Sequence, residues 1–144
     1  MANVDRQDVM LLIADGAGGT FSLDPIRLMK GCFIVAEIGP PEWRDLFEFR
    51  PYDYGPFDPS VYRARDALVG KGLLEARPVG RYSHYAITDA GRERANEIAG
   101  GMDQRIAQWL RDIGHWVTSK SFNDLLREIY DRFPDYATRS IANV

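Results

Sequence analysis

Cysteine occurs once in this 144-residue chain, at Cys32, and histidine twice, at His84 and His115. One cysteine excludes an intramolecular disulfide and any thiolate metal cluster. Neither histidine has a cysteine, histidine or carboxylate partner at ligand spacing, so no metal site is expected. The same scarcity removes Ser-His-Asp chemistry, and no paired carboxylates stand out by spacing. No catalytic residue and no cofactor are expected, and the chain does not read as an enzyme. Long apolar runs are missing as well. The longest, VMLLIA and CFIVAEI, are core-sized and fall far short of the roughly 20 residues that span a bilayer, so no membrane partner is expected. The opening MANVDRQD is polar and acidic, unlike a secretory signal. A reducing, cytoplasmic setting fits these absences best.

What is present is the composition of a folded domain: 45% hydrophobic and 27% charged residues exclude a disordered chain. The net charge of −3 and pI near 5.4 argue against a surface that grips nucleic acid everywhere. The charge is unevenly distributed, however. Residues 61–96 carry seven basic side chains against four acidic ones, and the rest of the chain carries eleven against seventeen. The positive excess therefore falls on one segment.

Periodicity places a first helix at about 4–15, ended by GAGG. A second runs from Pro25, capped by Asp24, to about 37. The alternating LFEF predicts a short strand at 46–50, and PYDYGPF a turn-rich connection. Asp58-Pro59 repeats the Asp-Pro entry device, and the helix that follows turns Val61, Ala64, Leu68 and Val69 inward. Gly72 ends it. Strands at 73–77 and 81–87 then form a hairpin, with Tyr85 and Ile87 on one face and Tyr82, His84 and Ala86 on the other. Thr88 caps a long helix from about 90 to beyond 109. Along it, Ala95, Ala99, Met102, Ile106, Trp109, Ile113 and Trp116 recur in steps of four and three, the pattern of a helix lying along another helix. A last amphipathic helix, SFNDLLREIYDRF, ends at Pro134.

Leu68, Gly72, Leu73 and Leu74, then Tyr85, Ile87, Thr88, Ala90 and Gly91, reproduce the order L-x-x-x-G-L-[LIV], hairpin, Y-x-[IL]-T-x-A-G. Over about a quarter of the chain this resembles the winged-helix regulators of the PadR and MarR type. PYDYGPF and RLMKGCFIV also look like a group of prokaryotic and phage-associated winged-helix proteins. The resemblance implies a mainly α fold with a small antiparallel sheet, a winged helix-turn-helix over 1–89 (wing 73–87). It also implies a C-terminal helical extension, 90–144, used for dimerisation or packing. It further implies a cytoplasmic homodimer that binds double-stranded DNA and regulates transcription. Ser60, Arg63 and Arg65 would lie on the reading helix, Arg77 and Arg81 at the wing tip, and Tyr82 and His84 would face outward. The stripe from Ala95 to Trp116 would join two copies.

Plainer readings stand beside these. Arg77 and Arg81 can belong to a solvated turn, and Arg63 and Arg65 to surface ion pairs. His115 suits a helix end. DGAGGTFS lacks the Gly-Lys-Ser/Thr ending of a phosphate loop and reads as a connection. The aromatics Trp43, Phe47, Phe49, Tyr52, Tyr54 and Phe57 form either core around a short strand or the lining of an effector pocket. Cys32, in an apolar stripe, reads as a buried inert thiol. Before the reading helix stand about twenty residues, IGPPEWRDLFEFRPYDYGPF, where a short helix and a tight turn belong. Either PPEWRDLF supplies that helix or the motif is degenerate. The alternative function is a winged-helix module for protein–protein contact, antitoxin-like or a phage-associated adaptor.

Overall fold

Two Asp-Pro steps start helices in the computed structural model of the chain, which describes residues 4–137. Asp24 caps α2 (Pro25–Ile38) and Asp58 caps α3 (Pro59–Gly70), each with proline in the first turn, where its missing N–H has no helical partner to lose. Ahead of them, α1 (Arg6–Ala17) opens with a reciprocal box. Asp5 accepts the Asp8 amide at 2.9 Å, and Asp8 accepts that of Asp5 at 3.2 Å. Val9 to Ala14 are all buried, so α1 is covered on every side. It is the central helix of a mainly helical fold with two small antiparallel sheets.

Between α2 and α3 the chain makes a 3₁₀ turn (Pro41–Leu46) that buries Trp43. It then forms a short hairpin, β1 (Arg50–Tyr52) with β2 (Gly55–Phe57). The strand expected at 46–50 is not there. Leu46 closes the 3₁₀ turn, and Phe47 and Phe49 reach the core from extended backbone that pairs with no strand, so the alternation reflects burial alone. Asp58 ties this connection to α3: its Oδ1 accepts the Ser60 amide at 2.8 Å and its Oδ2 the Glu48 amide at 2.7 Å, with Asp58 and Ser60 themselves buried. Asp58→Ala removes a helix cap and leaves the Glu48 N–H without its acceptor. A loss of about 2 kcal/mol is expected, measurable as a lowered thermal midpoint.

After Gly72, in the left-handed region at φ 74°, β3 (Leu74–Val79) pairs with β4 (Tyr82–Ile87) from Leu74↔Ile87 to Val79↔Tyr82. Gly80 has φ 65° and Arg81 follows it with negative φ, the arrangement of a II′ turn with glycine first. The expected face alternation holds only in part, because Tyr85, Ala86 and Ile87 are all buried. On its other edge β4 receives Leu23, whose carbonyl accepts the Tyr85 amide at 2.9 Å.

Thr88 caps the next helix as expected, but that helix is not long. It divides into α4 (Asp89–Gly100) and α5 (Gln104–Thr118). Gly100-Gly101 favours a break, Asp103 caps α5, and the Gln104 side chain donates to the Ala99 and Met102 carbonyls across the corner. Ala95, Ala99 and Ile113 are consequently buried in the chain's own core rather than aligned on one outer seam. Met102, Ile106, Trp109 and Trp116 are half-buried against it. α5 crosses α1 closely, so the segment after residue 90 shares one core with the helices before it. Arg111 donates to Asp15 at 2.8 Å and Arg92 approaches the same carboxylate at 3.7 Å, linking α5, α4 and α1. Ser121 caps α6 (Phe122–Arg132), which buries Leu125, Leu126 and Ile129, and a 3₁₀ turn (Pro134–Ala137) follows.

Candidate nucleic-acid interface

α3 turns Val61, Ala64 and Leu68 into the core, as its spacing predicts, leaving Arg63 and Asp66 exposed. Ser60 departs from expectation. The residue is buried and its hydroxyl, out of solvent, has no hydrogen-bond partner among the described residues, although Ser60 borders the cleft between Arg6 and Arg63. The inward turn of α3 at its cap carries Ser60 beneath the surface.

Arg65 is also corrected. Its side chain is only 16% exposed. The guanidinium lies 4.5 Å from the Tyr62 ring centroid and 5.3 Å from that of Tyr85, while Nε donates to Asp66 at 2.9 Å. It thus joins α3 to β4 through two aromatic faces. Burial raises the pKa of both tyrosines, which keeps them neutral beside the cation. The stack extends to the first hairpin, since Phe57 meets Tyr62 edge-on and Tyr52 stacks on Phe57.

At the second hairpin, Arg77 lies 3.9 Å over the Phe21 ring and donates to Glu75 at 3.2 Å, with most of its side chain still in solvent. His84 does not face outward. Half-buried, its Nδ1 lies 2.8 Å from the Phe21 carbonyl. Phe21 has φ 56°, the one positive value outside glycine among the described residues, a conformation that costs a bulky residue about 1–3 kcal/mol. Arg77, His84 and the adjoining Leu23 bridge hold it there, so these contacts tie the Phe21–Leu23 segment to the middle of the hairpin. Arg81, at the turn, is exposed and has no ion pair among the described residues. Tyr82 beside it is 60% exposed, and Val79 is also well exposed.

Of the four arginines expected to act together, Arg63 and Arg81 project freely, Arg77 does so from a stacked position, and Arg65 is structural. Around Arg63 the fold gathers residues that sequence reasoning missed. Arg50 of β1 shares a shallow cleft with it on one side, and Arg6 of α1 shares another on its far side. Acids interleave with them: Glu48 pairs with Arg50 at 3.0 Å, and Asp5 lines the cleft of Arg6. The surface is therefore mixed, with cationic points at the helix and at the hairpin tip. Phe21 and Leu23 were the other omission. Their signal was the alternation in TFSL just before the Asp-Pro step. Among the described residues no three His, Cys, Asp or Glu side chains cluster as metal ligands, and no helix is long and apolar enough to cross a membrane. Cys32 is fully buried and its thiol pKa is pushed up by that burial.

No family model, no curated protein and no solved structure matches the chain.

Proposed function

We propose that the chain is a winged-helix module that binds double-stranded DNA and acts in the cytoplasm as a dimeric transcriptional regulator. In this reading α3 enters the major groove, presenting Arg63, and the β3–β4 hairpin is the wing, its Arg81 meeting phosphate or the minor groove. The observation that carries it is the joining of α3 to a ribbon of three backbone segments: Leu23 bridges β4, β4 pairs with β3, and Arg65 stacks between Tyr62 and Tyr85. Such a joint holds the exposed side of the helix and the hairpin tip in a constant relation, which groove recognition requires. The insertion between α2 and α3 folds as its own small hairpin and leaves α3 exposed at Arg63.

Fluorescence anisotropy with a labelled duplex at two salt concentrations tests this. The wild-type protein is expected to bind with a steep salt slope, and the Arg63→Ala/Arg81→Ala double variant to bind more weakly with a slope shallower by about two. No binding up to about 10⁻⁴ M at low salt would refute the reading.

A second reading, a protein–protein contact module, draws on a cleft of about 290 Å³ on the α2, α5 and α6 side, lined by Ile38, Trp109, Trp116 and Phe133. Ile38 there is 58% exposed, which is unusual for a large aliphatic residue. On this reading, recovery of one stoichiometric protein partner persists after nuclease treatment and is lost with Ile38→Glu.

A further inference from the structure

Lys30 takes no part in the surface described above. It lies on α2, is 3% exposed, and among the described residues its Nζ makes one hydrogen bond, to the Pro56 carbonyl at 3.3 Å. An ammonium has three N–H groups to satisfy, and the acid that influences it, Asp24, forms its ion pair with Arg27 instead. A pocket of about 110 Å³ borders the amine, walled by Ile26, Tyr52, Tyr54, Phe57 and Tyr62. Tyr52 and Tyr54 are exposed rings, so the pocket communicates with solvent beside them. Gly55 makes the room: a Cβ there would stand 3.2 Å from Lys30 Cε and 3.3 Å from Nζ. Burial lowers the Lys30 pKa to about 7, so near neutrality a large share of this amine is uncharged. A desolvated lysine in an apolar pocket is the form in which lysine acts as a nucleophile.

We propose that Lys30 is a site of covalent capture for a small aldehyde that enters beside Tyr52 and Tyr54. The neutral amine attacks the carbonyl carbon. A C–N bond forms as the carbonyl π pair moves to oxygen, and that oxygen takes up a proton lost by nitrogen. The carbinolamine then expels its hydroxyl together with the second nitrogen proton as water, leaving a C=N bond. No oxidant or reductant enters the balance. Tyr62 is one of the aromatic residues that wall the pocket, and that lining limits the return of water to the imine.

The chain has only three lysines, so it carries its own controls. Lys71 is exposed and bonds to Gln7, and Lys120 pairs with Glu128. The full chain is treated at pH 7 with propanal and cyanoborohydride, which reduces any imine, and the sites are mapped over time by peptide mass spectrometry. At that pH the free amine is roughly a thousandfold more abundant at Lys30 than at an ordinary lysine. Allowing for restricted entry, alkylation at Lys30 is expected to run at least about tenfold faster than at Lys71 or Lys120. The lead should shrink at pH 10, and a bulky polycyclic aldehyde should lose it. Lys30→Arg should abolish the fast phase without changing the other two rates. If Lys30 reacts no faster than the two surface lysines at pH 7 in protein with native circular dichroism, the proposal fails.

Discussion

Gly114→Ala is expected to cost about 3 kcal/mol or more of folding stability, read as a lowered urea midpoint. A Cβ at this position of α5 would lie 1.9 Å from the Ile13 carbonyl oxygen and 2.9 Å from the Ala17 amide nitrogen, both backbone atoms of α1. Gly16 makes the reciprocal approach from α1, where a Cβ would fall 1.8 Å from the Arg111 carbonyl oxygen. No rotamer change relieves a clash with backbone, so the two helices must separate, and α1 is the element on which α3, α4 and α5 all pack. Overpacking a core costs about 1–3 kcal/mol when side chains can adjust, and here they cannot. Gly70→Ala is the matched control. It lies in a helix with nothing within 4 Å of a new Cβ, and alanine there is expected to stabilise by about 0.5–1 kcal/mol. Similar losses at both positions would overturn the close-crossing account.

Phe33→Ala is expected to have the largest effect of a side-chain truncation, about 4 kcal/mol. Phe33 is fully buried on α2 and meets three rings edge-on: Phe49 at 5.3 Å, Phe133 at 5.0 Å and Tyr136 at 4.8 Å. Each edge-to-face pair adds about 0.5–1.5 kcal/mol beyond area burial. Because those rings come from the α2–α3 connection and from the C-terminal turns, the cavity should loosen both. Hydrogen exchange should rise first at residues 47–57 and 133–137, while α1 keeps its protection. Uniform loss of protection would indicate a single cooperative unit instead.

Elements that announce themselves through local chemistry were legible in the sequence. Asp24-Pro25, Asp58-Pro59, Gly72 and Thr88 each act through one hydrogen bond or one backbone angle within a few residues, and each sits where it was read. The hairpin of β3 and β4 followed from Gly72 and Gly80, but β3 runs on to Val79, so Arg77, expected at the tip, pairs with His84 in mid-strand and only Arg81 lies at the turn. Features decided by packing at a distance were not legible. The apolar stripe runs through the corner at 101–103 because α4 and α5 both face the same core, so its spacing read as one long helix and only the Gly100-Gly101 interruption pointed to a turn. Arg65 occupies an outward-reading position, yet Tyr62 and Tyr85 take in its guanidinium. Leu23 sits in the alternation TFSL, too short to mark a strand, and only the fold brings it to the edge of β4. The expected surface elements, α3 and the β3–β4 hairpin, do lie joined, but Arg65 and His84 are held by tertiary contacts and Ser60 is buried at the helix start, so none of the three projects outward.

Backbone amide spectra of the ¹⁵N-labelled protein, recorded while an unlabelled duplex is added at low salt, test the central proposal most directly. The amides of Arg63, Arg81 and Tyr82 should shift together and saturably, with those of Ile38 and Trp109 unmoved. Shifts centred instead on the Ile38–Trp109 cleft, or none at all, would contradict it.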